Sequence, residues 1–181
     1  MRRYRAWSDG SRVHNGVAAV GAGGWACVVE RGSEGWVLRG RVPLVTSTRM
    51  ELFGALEALR SIPRGHGVDM HVDCTVLLSV HDAWTFSRAQ GSWRPRRQRG
   101  ADADLWHALF VQFDELDVSV VLLGKGHRDL VHNRCHHIAN AEARALHRSA
   151  PPPSLERKEL RDRRQSMSGK AASGWQAFDT P

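Results

Sequence analysis

Residues 35–63, GWVLRGRVPLVTSTRMELFGALEALRSIP, contain the change of hydrophobic period that decides the fold. In residues 35–42 apolar and polar side chains alternate, which predicts a β-strand. In residues 46–63 the apolar side chains recur at helical spacing until a proline ends the segment. Hydroxyl residues open this second part, and Glu51 follows Thr48 at the spacing of a capping box. The stretch therefore predicts a strand that leads directly into a helix.

The same two periods recur on both sides of this stretch. They predict strands at residues 3–8, 19–30, 35–42, 68–73 and 118–123, and helices at 46–62, 76–84, 102–115 and 132–148. The first strand is expected to end in a turn at Asp9-Gly10-Ser11, and the last strand to be buried. The order β-β-β-α-β-α-α-β-α predicts an α/β fold. Its sheet would be mixed, with antiparallel hairpin strands, parallel strands and flanking helices.

Composition limits the class of protein. The chain has 181 residues, of which 41% are apolar and 25% charged, enough for one packed domain. No window approaches 18 uncharged apolar residues, so no membrane partner is expected. Three widely spaced cysteines without a CxxC pair predict no disulfide-linked partner and a cytoplasmic location. We expect a monomer, with a domain at residues 1–148 and a basic, mostly disordered tail at 149–181.

The formal charge of +7 is unevenly distributed. Three arginines within the first five residues give +3, residues 83–100 give +5, and residues 150–181 give +2. The remainder is therefore slightly acidic. This pattern indicates that a polyanion is bound at basic attachments while acidic side chains act elsewhere.

Three carboxylates mark the candidate site. Asp9 ends the first predicted strand, Glu51 opens the first helix and Asp73 ends the fourth strand. In open α/β sheets, sites gather at strand ends and at the adjoining helix starts. Carboxylates that converge there repel one another, and a divalent cation such as Mg²⁺ or Mn²⁺ relieves the repulsion. Each residue also has a structural alternative, as a turn former, a cap partner or an N-cap.

The motifs around these carboxylates occur in the order typical of one family. They are Ser8-Asp9-Gly10-Ser11, Gly23-Gly24-Trp25, Thr48-Arg49-Met50-Glu51-Leu52, Val72-Asp73, Asp102-Ala103-Asp104-Leu105-Trp106, Gly124-Lys125-Gly126-His127 and Asn133-Arg134-Cys135. Together they resemble type 1 ribonuclease H over residues 3–148. The resemblance implies a mixed five-stranded sheet with helices around it. It also implies metal-dependent hydrolysis of the RNA strand of RNA–DNA hybrids, which leaves 5′-phosphate and 3′-hydroxyl ends.

The resemblance implies roles for individual residues. Asp9, Glu51 and Asp73 match the first three carboxylates of the family's metal site, which holds two ions. His127 matches its mobile-loop histidine, with a surface loop histidine as the alternative. The fourth carboxylate is replaced by His136, a neutral ligand that suits Mn²⁺ better than Mg²⁺. A structural zinc site from His127, His132, Cys135 and His136 is a weak alternative because its spacing matches no common finger.

The remaining expected contacts are with nucleic acid. Asn15, Ser47 and Thr48 lie where family members touch the hybrid backbone, although turn and cap roles are equally open. Residues 91–100 take the place of the family's basic handle, with a solvated loop as the alternative. Arginines with an interleaved tryptophan suit phosphate contact and stacking. The residues expected to act there are Trp93, Arg94, Arg96, Arg97 and Arg99.

Two other functions remain open at this point. The chain could be a binding protein for hybrids or other nucleic acids whose catalysis weakened with the loss of the fourth carboxylate. It could also be a nuclease of the same fold with a different substrate, because one fold can support many functions.

Overall fold

The computed structural model describes residues 3–14, 20–91, 102–124, 126 and 128–149. The chain divides after Arg148 into two units, residues 1–148 and 149–181. From residue 150 onward the predicted disordered tail falls outside the described residues. Among the helices described, none is long and apolar enough to cross a membrane.

Five strands form one mixed sheet. They are β1 (Tyr4–Val13), β2 (Gly21–Arg31), β3 (Glu34–Val45), β4 (Gly67–Val72) and β5 (Asp117–Leu122). The order across the sheet is β3-β2-β1-β4-β5. β1, β2 and β3 pair antiparallel, whereas β4 pairs parallel with both β1 and β5. The predicted mixed sheet of hairpin and parallel strands is confirmed.

Within the described part of the chain, four helices cover the sheet. They are α1 (Ser47–Arg60), α2 (Thr75–Ala89), α3 (Ala103–Glu115) and α4 (Leu130–Ser149). The larger core includes Leu56 of α1, Leu77 of α2 and Phe113 of α3, packed against inward side chains of the strands. A smaller core lies under α4, where Cys135 and Ala139 pack on Trp7, Ala26 and Val28.

The predicted turn at Asp9-Gly10-Ser11 is wrong, because β1 continues through these residues. Asp9, Gly10 and Ser11 pair with Ala26, Trp25 and Gly24 of β2. The local turn preference is overridden by this antiparallel ladder, which satisfies the backbone groups that a turn would leave to solvent.

Three smaller predictions also need correction. β5 was expected to be buried, but it is the edge strand and most of its side chains are at least partly exposed. α2 extends to Ala89, five residues beyond the predicted end. Thr46 is the N-cap of α1, since its hydroxyl accepts from the Arg49 backbone nitrogen over 3.1 Å. Thr48 is therefore inside the helix, where it cannot form the expected capping box with Glu51.

The last helix approaches β2 closely at Gly24. A Cβ atom on Gly24 would lie 2.1 Å from the Ala139 carbonyl oxygen and 2.5 Å from the Ala143 backbone nitrogen. Both atoms belong to helix backbone and cannot move aside as a flexible side chain could. The missing side chain thus sets the distance between α4 and the sheet.

We expect Gly24→Ala to lower the free energy of unfolding by about 1–3 kcal/mol, because the new methyl group forces α4 away from β2. Urea unfolding followed by circular dichroism measures the change. Gly124→Ala is the matched control, since a Cβ there meets no atom within 4 Å. Equal stability of the two variants would contradict the close packing of α4.

Candidate active site

Asp9 lies at the centre of the site. Its side chain is buried, and its Oδ1 accepts a hydrogen bond from the Gly10 backbone nitrogen over 2.9 Å. The chain approaches α1 closely at the next residue, where a Cβ on Gly10 would lie 2.3 Å from the Glu51 backbone nitrogen. Asp73 follows the last residue of β4, the parallel neighbour of β1. Three separate elements thus bring the predicted carboxylates together.

A buried histidine completes this group. Asp9, Asp73 and His132 each offer one ligand atom, and these atoms all lie within 4.8 Å of one another. The Nε2 atom of His132 is 3.6 Å from Oδ1 of Asp73. His132 is 2% exposed, whereas the Asp73 side chain is 43% exposed. The group is therefore buried at His132 and Asp9 and open to solvent at Asp73.

Asp129, the residue just before α4, holds His132 in position. Oδ1 of Asp129 accepts from the backbone nitrogens of Val131 and His132 over 2.9 and 2.8 Å. Its Oδ2 accepts from the Trp7 indole nitrogen over 3.1 Å. Burial opposes ionisation of Asp129, but these hydrogen bonds outweigh it and lower its pKa. The cap thus ties the start of α4 to β1.

His136 lies one helical turn beyond His132 and contacts Asp9 directly. Its Nδ1 is 2.7 Å from Oδ2 of Asp9. Asn140 Nδ2 donates to the His136 Nε2 over 3.0 Å, and the Ser11 hydroxyl donates to Oδ1 of Asn140 over 2.9 Å. With Nε2 as acceptor, the ring proton is on Nδ1 and points at Asp9. Both ring nitrogens are engaged, so this arrangement orients Asp9. The fourth-ligand role of His136 stays a prediction.

The pKa of Glu51 reflects the repulsion among the carboxylates of the site. Burial first, and then the negative charges of Asp9 and Asp73, raise the pKa of Glu51 from 4.5 to about 9. A divalent cation among these carboxylates would relieve the repulsion. Two aspartates with an imidazole close by, and Glu51 alongside, are a donor set that such an ion accepts.

The weak zinc alternative receives no support from Cys135. Its thiol is buried and donates to the Trp7 carbonyl oxygen over 3.6 Å. Burial raises the pKa of Cys135 to about 12. Among the residues that the structure describes, the side chains that converge as possible metal ligands do not include Cys135.

The predicted nucleic-acid contacts are only partly within the described residues. Ser47 and Thr48 lie exposed on the first turn of α1, four and three residues before Glu51. Their contact with a hybrid stays a prediction. The other candidates lie outside the described residues, and they are Asn15, Trp93, Arg94, Arg96, Arg97, Arg99 and His127.

Sequence reasoning missed two members of the site. His132 was considered only as a zinc ligand, and Asn140 was not considered at all. A signal for both existed in the spacing, because residues 132, 136 and 140 follow one another at intervals of four. On a helix such residues share one face.

Known proteins resemble this chain in sequence. The family model described as RNase H matches residues 2–144. The chain is 31% identical to a ribonuclease H of Symbiobacterium thermophilum over 144 residues, covering 78% of this chain and 95% of that protein.

Two solved structures share the fold. The crystal structure of LC9-RNase H1, described as a type 1 RNase H with the type 2 active-site motif, has a TM-score of 0.62 at 21% identity. The match covers 80% of this chain and 73% of that one. A foamy viral protease-reverse transcriptase in complex with RNA/DNA hybrid has a TM-score of 0.59 at 14% identity. There the match covers 78% of this chain and 20% of the viral one.

We expect Glu51→Gln to stabilise the metal-free protein at pH 8 by about 1–2 kcal/mol. The folded-state pKa of Glu51 lies above its unfolded value, so its ionisation lowers stability once the pH exceeds 4.5, increasingly up to about 9. The gain should shrink as the pH falls toward 4.5. Thermal unfolding across this pH range measures it, with the exposed Glu34→Gln as control. A gain that does not depend on pH would contradict the electrostatic origin.

Proposed function

Since the chain belongs to the ribonuclease H family, we propose that it hydrolyses the RNA strand of RNA–DNA hybrids as an endonuclease, leaving 5′-phosphate and 3′-hydroxyl ends. The observation that supports this most is the convergence of Asp9, Asp73 and His132 within 4.8 Å, with Glu51 on the adjoining helix turn. Such a group suits phosphodiester hydrolysis better than a structural role, because packed carboxylates cost stability.

The proposed cofactor is Mg²⁺ or Mn²⁺, in a site for two ions. Asp9, Asp73 and Glu51 would supply oxygen ligands, and His132 would supply a nitrogen. His136 would be a further nitrogen donor only after giving up one of its hydrogen bonds to Asp9 and Asn140. Imidazole is less suited to Mg²⁺ than carboxylate is, so this set favours Mn²⁺. Bound divalent ions of this kind activate a water molecule and stabilise the oxygen that leaves the phosphorus.

The protein's own groups orient this chemistry. His136 donates to Asp9 and is held by Asn140, which fixes the direction of the Asp9 carboxylate. The first turn of α1 presents the hydroxyls of Ser47 and Thr48 beside helix N–H groups, an arrangement that binds backbone phosphate. His127 is proposed to help move protons or release product. The arginines of residues 92–99 are proposed to hold the hybrid. An A-form-like hybrid offers shape and 2′-hydroxyls, so little sequence preference is expected.

Cleavage of an end-labelled RNA–DNA hybrid, with Mg²⁺ and Mn²⁺ each titrated, tests the proposed activity. We expect cleavage of the hybrid alone, and a loss of at least about a thousandfold in Asp73→Asn, because a charged ligand is removed without a change of shape. Single-stranded RNA, double-stranded RNA and double-stranded DNA are the substrate controls.

Two results would support other functions. Salt-sensitive hybrid binding without cleavage by either ion would favour a binding protein. Cleavage of another substrate in preference to the hybrid would favour a nuclease with the same fold and a different specificity.

His132 would be the buried nitrogen donor of the site. We expect His132→Asn to weaken Mn²⁺ binding by about tenfold and Mg²⁺ binding less, because the lost donor is an imidazole. Electron paramagnetic resonance of free Mn²⁺, with Mg²⁺ as competitor, measures both affinities without any turnover. His107→Asn on the exposed side of α3 is the control. An unchanged ratio of the two affinities would remove His132 from the ligand set.

A further inference from the structure

A surface cavity runs along α4 away from the site. Its volume is about 480 Å³, and the residues that line it are His136, His137, Asn140, Ala141, Arg144 and Arg148. Residues 136, 140, 144 and 148 follow one another at intervals of four, so they form one row on the helix. From residue 136 to residue 148 the row is about 18 Å long, at 1.5 Å of rise per residue.

This row is positively charged. Arg144 and Arg148 are exposed, and neither takes part in an ion pair among the residues that the structure describes. The one acidic residue within α4 is Glu142, which lies on a different face. Arg39 and Arg41 of β3 approach its carboxylate at 3.5 and 3.7 Å and offset its charge. The row of cations is therefore not neutralised from within its own helix.

The row begins at the active site itself. His136 lines the cavity and also contacts Asp9, and Asn140 lines the cavity while it holds His136. A strand whose phosphate reaches Asp9 can thus continue along α4 without leaving the protein surface. The space is open and polar, as a solvated sugar–phosphate backbone requires.

We propose that the α4 row, Arg144 and Arg148 above all, binds backbone phosphates of the strand that is being cleaved, several nucleotides from the scissile bond. The inference rests on the proposed function for the identity of the ligand, an RNA–DNA hybrid. The contact is with phosphate, so it adds affinity without sequence preference. It is separate from the first turn of α1 and from the basic residues 92–99, which lie elsewhere in the chain.

The test is the salt dependence of hybrid binding for the variant Arg144→Gln/Arg148→Gln. Fluorescence anisotropy in EDTA measures the affinity without turnover between about 50 and 200 mM salt. We expect the slope of log K against log salt to fall by about 2, one unit for each lost phosphate contact. In steady-state cleavage, KM should rise and kcat stay near its original value. Arg60→Gln/Arg64→Gln, at the C-terminal end of α1 and in the segment that follows it, changes the charge equally and is the control.

The outcomes separate this inference from the proposed function. If the original protein cleaves the hybrid and the two double variants show equal slopes, the α4 row does not bind phosphate. A lower kcat with unchanged KM and slope would also overturn it, since the row would then act through His136. If the original protein cleaves nothing, the proposed function fails. The slopes still decide whether α4 contacts the hybrid.

Discussion

The site depends on the contact between Gly10 of β1 and the first turn of α1. No side chain fits there, because a Cβ would overlap the backbone of Met50 and Glu51. The absence of that side chain allows Asp9 and Glu51 to approach despite their charges. Gly24 permits an equally close approach of α4, which brings His132 and His136 to the same place. Hydrophobic packing on both faces of the sheet supplies the energy that opposes this repulsion.

Hydrogen bonds then give each group its direction. Asp129 caps α4 and accepts from Trp7, which fixes the helix end relative to β1. Elsewhere, Arg49 donates to Asp104 over 2.8 Å and joins the starts of α1 and α3. Both halves of this pair belong to motifs by which the family resemblance was found. This contact joins two of the motifs that lie far apart along the chain.

Much of the fold was predictable because the hydrophobic period changes cleanly between strand and helix. The sequence also predicted that Asp9, Glu51 and Asp73 converge, although Asp9 lies within β1 and not at its end. Their roles as metal ligands stay predictions. The role of His136 was harder to predict from the sequence. Its contact with Asp9 depends on the hydrogen bond from Asn140 and on how closely α4 packs against the sheet. The roles of individual charged residues were equally hard to predict from the sequence. Arg3, counted among the basic attachments, donates to Asp69 and Asp117, so it holds strands together within the domain.

Side chains of β1, and Arg3 just before it, contact residues that lie far along the chain. Arg3 contacts Asp117, Trp7 contacts Asp129, and Asp9 contacts His136, each more than 110 residues away. During synthesis from the N-terminus, these three contacts must therefore wait for nearly the whole domain to emerge. The hairpin of β1, β2 and β3 forms early, whereas closure of the site comes last. A nascent chain stalled before α4 would expose Trp7, Ala26 and Val28, and its acidic residues would lack the histidines of the site.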